Sequence, residues 1–142
     1  MAHSLSVSVP ADPCYLRSIR GFIQPIFENR CDDDDVRQLV LAIDEACSNI
    51  IKHGQSWFMP KGTISVSVVD MKTKTVVTVH NYCRVKEVEK IKPRDLDDIK
   101  PGGLGTHFIA EVMDKVEFEP CTEREGRMAL VMTKITGGKE ES

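Results

Sequence analysis

From residue 36 to residue 54 the chain repeats apolar side chains at Val36, Leu39, Val40, Ile43, Cys47, Ile50 and Ile51, and steps of three and four lay such residues along one side of an α-helix. A helix of this length with one apolar side needs a wide apolar surface to lie on, so this segment restricts the fold more than any other. Carboxylates within residues 31–35 cap its start and complement its dipole, and Gly54 stands where a helix stops. Asp32, Asp33, Asp34 and Asp35 are read as caps and solvated charge rather than as a metal site.

The surface that covers this helix is expected from β-strands. Leu5, Val7 and Val9 alternate with Ser4, Ser6 and Ser8, the period-two pattern of a half-buried strand that Pro10 ends. Asp12-Pro13 then starts a helix with Leu16, Ile19, Ile23 and Phe27 at helical spacing and a bend at Pro25. Two β-branched runs, 63–69 and 75–79, joined around 70–74, predict a hairpin. Residues 84–101 are charged and aperiodic, a loop. Gly102-Gly103-Leu104-Gly105 opens a third helix whose buried side is Phe108, Ile109, Val112 and Met113, and strands follow near Lys115–Glu119 and Arg127–Ile135. This order predicts an α+β fold, a two-layer α/β sandwich of a mainly antiparallel sheet with helices on one face, formed by residues 1–142 as one domain.

Composition excludes several functions. Hydrophobic residues make up 41% and charged residues 29%, with a net charge of −3; the basic residues are scattered, so no footprint for a nucleic-acid backbone exists and no direct nucleic-acid binding is expected. No run approaches the roughly 20 apolar residues of a membrane helix, and residues 1–10 lack the pattern of a signal peptide. No membrane partner and a cytoplasmic location are expected. Cys14, Cys31, Cys47, Cys83 and Cys121 contain no C-x-x-C pair and read as reduced core thiols.

Chemistry concentrates in two places. Glu45, Asn49 and His53 are four apart on the long helix and therefore share one row beside its apolar stripe. A carboxylate in such a row can take a proton from a hydroxyl, and an amide oxygen is a hard ligand suited to Mg²⁺ on nucleotide phosphates; an ordinary wet helix face carries the same residue types. The glycines before the third helix let backbone approach a phosphate, or simply close a loop. Their spacing fits neither a P-loop nor a dinucleotide fingerprint. His107, Trp57 and Phe58 are read as surface or packing residues.

These segments together resemble the GHKL (Bergerat-fold, histidine-kinase-like) ATPases, and within them the anti-sigma-factor serine/threonine kinases. The stretch Leu41-Ala42-Ile43-Asp44-Glu45-Ala46-Cys47-Ser48-Asn49-Ile50-Ile51-Lys52-His53-Gly54 is similar to that family's N box. The resemblance implies ATP and Mg²⁺ as cofactors, Glu45 as general base, Asn49 as the metal ligand and His53 as a wall of the site. Gly103, Leu104, Gly105 and Thr106 would lie along the nucleotide phosphates. Where the family usually places an Asp that receives the adenine amino group, followed by a Gly, this chain has Asn81 and Cys83. Asn81 still offers a carbonyl oxygen, without the charge that strengthens the bond; a turn residue at a strand end is an equal alternative. The resemblance further implies a sigma factor and an antagonist protein as partners, with a possible homodimer. The function expected is phosphorylation of the antagonist in a partner-switching system, or partner binding alone without nucleotide.

Overall fold

The protein is described from a computed structural model over residues 3–54, 62–82, 107–119 and 127–136. The periodic segment forms the helix α2 (Asp33–Gly54). Its start is held as its carboxylates require: the Asp32 side chain accepts from the Asp35 N–H at 2.9 Å, Asp33, Asp34 and Asp35 occupy the first turn, and Arg37 reaches back to Asp34. Preceding it, Asp12 caps a single 3₁₀ turn (Pro13–Tyr15) that leads into α1 (Leu16–Glu28). Pro25 lies inside α1. Both Pro25 and Gly21, whose carbonyl loses its helical donor there, are exposed, which leaves that carbonyl to water.

Five strands make one sheet in the order β1-β2-β3-β5-β4, antiparallel throughout. They are β1 (His3–Pro10), β2 (Thr63–Asp70), β3 (Lys74–Tyr82), β4 (Lys115–Glu119) and β5 (Arg127–Ile135), with α3 (His107–Val112) before β4. Alternation sorts their side chains. Ile64, Val66 and Val68 of β2, Val77 and Val79 of β3, and Leu130 and Met132 of β5 are buried in one cluster with Ile19, Ile23 and Phe27 of α1 and the α2 stripe. The other face carries serines, threonines and valines, among them Ser8 and Ser65 with hydroxyls 2.7 Å apart.

Three departures from the sequence pattern have local causes. The helix layer covers Val9 and part of Val7 but stops short of Leu5, which is 40% exposed although it pairs with the buried Val68. Phe108 is exposed while Ile109, Val112 and Met113 are buried, because α3 is short and turns only one narrow side inward. Of the cysteines described, only Cys47 is a core thiol; Cys14 is exposed and Cys31 half-buried.

Hydrogen bonds orient the helices along the sheet. The Arg30 guanidinium, just past α1, donates to both Asp70 carboxylate oxygens (3.0 and 3.3 Å) and to the carbonyls of Met71 and Lys72 (2.5 and 3.3 Å). The end of α1 is therefore pinned to the β2–β3 hairpin. At the opposite end of the sheet, the Ala11 N–H donates to the Gly62 carbonyl at 2.7 Å, so α1 starts beside the beginning of β2. Helix α2, beginning a few residues after Arg30, must run back from the hairpin end. The C-terminus of α3 is at the hairpin end too: Lys134 donates to the Val112 carbonyl at 2.9 Å, and Asp114 accepts from the Ile135 N–H at 2.7 Å, beside Lys74.

Candidate functional site

That orientation decides which residues converge. The C-terminal half of α2, the start of α3 and the last residues of β3 all point to the sheet end away from the hairpin. On α2, Ala42, Ala46, Cys47 and Ile50 are buried, Asn49 is half-buried and Glu45 is exposed. The row thus lies on the flank of the helix, where a carboxylate keeps its hydration and remains accessible. His53 belongs to α2; its side chain lies outside the described residues. Next to the row, Asp44 accepts from Arg20 at 2.7 Å, tying α2 to α1. Burial, followed by the charge of Asp44, pushes the Cys47 thiol far above its ordinary value. It stays protonated, so its role is packing.

Asn81 is the second component. It is not a turn residue: β3 continues through it, paired with Ile64 on one side and Met128 on the other. Thr75, Val77, Val79 and Asn81 alternate as the inward positions of β3 and all are buried, Asn81 with 3% exposure. Its side-chain oxygen has no hydrogen-bond partner among the described residues. Leaving a buried amide oxygen without a donor costs about 1 to 3 kcal/mol, so the position is one that a ligand's N–H would improve. The signal was present in the sequence as the odd-numbered alternation of residues 75–81, carried through an Asn.

The other positions expected at the site, Gly103, Leu104, Gly105, Thr106 and Cys83, lie outside the described residues, as do the loop 84–101, Trp57 and Phe58. Among the described residues no group of three or more His, Cys, Asp or Glu side chains could hold a metal.

The sequence profile of the histidine kinase-like ATPase domain matches residues 9–134. The chain belongs to the histidine kinase-like ATPase family. Two relatives of this ATPase-family chain carry the name serine-protein kinase RsbW. One, from Halalkalibacterium halodurans, is 28% identical over 142 residues, covering 93% of this chain and 83% of its own. The other, from Staphylococcus aureus, is 28% identical over 141 residues, covering 92% and 85%. Among solved structures, the catalytic domain of histidine kinase ThkA aligns with a TM-score of 0.45 and 15% identity over 96% of this chain and 99% of that one. No described helix of this family member is long and apolar enough to cross a membrane.

Proposed function

We propose that this histidine kinase-like ATPase domain is an anti-sigma-factor-type kinase that uses ATP and Mg²⁺ to phosphorylate a serine or threonine of an antagonist protein, in alternation with sequestering a sigma factor. Family membership and the kinship with serine-protein kinases support the reaction class. The observation that carries the assignment to residues is the accessible Glu45 on a helix running toward the sheet end where the Asn81 oxygen has no partner among the described residues. In this reading Glu45 accepts the proton of the attacking hydroxyl as its oxygen bonds to the terminal phosphorus, and ADP leaves. Asn81 receives the amino group of the base through Oδ1. Asn49 and the backbone of Gly103, Leu104, Gly105 and Thr106 position the phosphates, with His53 closing the site. Bound Mg²⁺ at Asn49 would supply neutralisation of phosphate charge. Phosphoryl transfer depends mainly on such positioning and charge compensation, so a short set of residues suffices. In this reading the domain also acts as a cytoplasmic homodimer.

A second reading, a partner-switching module that acts by protein contacts without nucleotide, is favoured by one fact: Asn81 supplies a neutral oxygen where a carboxylate would bind an amino group about twice as strongly. Titrating ATP and ADP with Mg²⁺ into the purified protein separates the two. Saturable binding in the micromolar range is expected; no response up to millimolar nucleotide would sink the kinase reading and leave the binding module.

A further inference from the structure

Helices α1 and α2 cover the sheet with their inner sides, and between their outer sides a groove of about 430 Å³ opens to solvent. Its floor is Val36, Val40 and Leu41 of α2. Val36 is buried and Val40 packs against the core, but Leu41 lies off the apolar stripe. At 57% exposure it is the most exposed large apolar side chain of the described helices. A single exposed leucine is common on a protein surface; this one extends a concave apolar floor, where a second apolar side chain would bury both.

The rim decides which chemistry can enter. Glu28 at the end of α1 and Asp33 in the first turn of α2 line the groove where it meets the hairpin end of the sheet, and Gln24 lines the wall beyond them. Neither carboxylate has an ion pair among the described residues. The neighbouring cations are engaged elsewhere: Arg37, on the same rim, reaches Asp34, and Arg30 is turned to Asp70 and the hairpin carbonyls. With the exposed Asp32 and Asp35 beside it, this mouth of the groove carries an excess of negative charge, which repels phosphates and attracts cationic side chains.

The spacing selects the occupant. Asp33 and Leu41 stand eight residues apart on α2, about 12 Å along the axis at about 1.5 Å per residue. A partner helix lying in the groove meets both points with a lysine or arginine and an aliphatic residue about two turns apart, which share one of its faces. An extended segment would find no strand edge to bond with, since α1 and α2 use their backbone groups internally. We propose that the groove between α1 and α2 is a docking site for a basic amphipathic helix of a partner protein. This site is separate from Glu45 and Asn81, and its assignment does not depend on the nucleotide reading.

The test is fluorescence anisotropy of the full chain with labelled alanine-based peptides of about 18 residues, long enough to be helical. One peptide carries lysines and leucines on one face, two turns apart; the other has glutamates in place of the lysines. Leu41→Ser and Glu28→Lys alter the groove at exposed positions, and Glu119→Lys makes the same charge change at an exposed position on β4. Thermal unfolding confirms that each variant is folded.

Saturable binding of the lysine peptide below millimolar concentration is expected, weakening as salt is raised, with the glutamate peptide at least about tenfold weaker. Leu41→Ser should weaken binding about tenfold and Glu28→Lys about fivefold, while Glu119→Lys leaves it unchanged. Equal losses in Glu28→Lys and Glu119→Lys overturn the groove in favour of diffuse attraction, and full binding in Leu41→Ser overturns the apolar floor. No saturable binding of the lysine peptide overturns the docking site itself. Self-association that Leu41→Ser abolishes would put a second copy in the groove and overturn the separate partner.

Discussion

Thr75 and Asn81 share a strand, a face and a degree of burial, 0% and 3% exposed, yet their polar atoms are provided for in opposite ways. The Thr75 hydroxyl donates to Asp70 at 3.1 Å and lies 3.4 Å from the Thr136 hydroxyl. Asp70 in turn is held by Arg30, so the hairpin end of the sheet is a closed polar network. The Asn81 oxygen at the other end has no partner among the described residues. Two buried polar side chains on one strand are thus treated differently among the described residues: the first belongs to a network that stabilises the fold, and the second is where the proposed ligand contact would fall.

The sharpest way to break this contrast is at Glu45. Glu45→Ala should lower phosphoryl transfer by about 100-fold or more, the scale of losing a general base. Its exposure means that the melting temperature should hardly change. Transfer that survives in this variant removes Glu45 from the chemistry. At the hairpin end the expected effect is on stability instead. Arg30→Ala strips charged hydrogen bonds from a carboxylate that is 17% exposed and should cost about 2 to 3 kcal/mol in denaturant unfolding, with nucleotide affinity unchanged. A cost near zero would show that the network does not hold the hairpin.

The smallest effects are the most direct comparison. Asn81→Leu removes a buried acceptor that has no partner among the described residues, so stability should hold or rise by up to about 1 kcal/mol, while ATP affinity falls about tenfold in calorimetric titration. Thr75→Val, on the same face of the same strand, should cost about 1 kcal/mol and leave ATP affinity alone. If the two substitutions behave alike in both measurements, the division of β3 into scaffold and site is wrong.

Most of the architecture was legible because its signals are local. The apolar stripe of α2, the Asp12-Pro13 start and the strands Lys115–Glu119 and Arg127–Ile135 follow from residue spacing within single elements, and the structure has them in the expected order. The exposure of Leu5 and Phe108 was not legible, because it depends on how far the helix layer reaches across the sheet. The Arg30 and Asp70 pair was hidden for a similar reason: it joins residues far apart in sequence, and neither lies in a motif. Within the candidate site, the Glu45 and Asn49 spacing was readable from helical geometry; the alternation of residues 75–81 hinted that Asn81 points inward, whereas the lack of a partner for its oxygen among the described residues took the structure to see.

The return of α2 alongside α1 also bears on how the molecule is assembled. These helices are joined by a few residues and can meet as soon as both exist, while β1 must wait for β2 on the far side of the helical pair; the bonded serines Ser8 and Ser65 are 57 positions apart. Contacts of such separation form slowly, because closing the long intervening chain costs entropy before any pairing repays it. On the ribosome β1 is made before the helices and its partner only after them, so a strand at the edge of the sheet is also the one kept waiting longest.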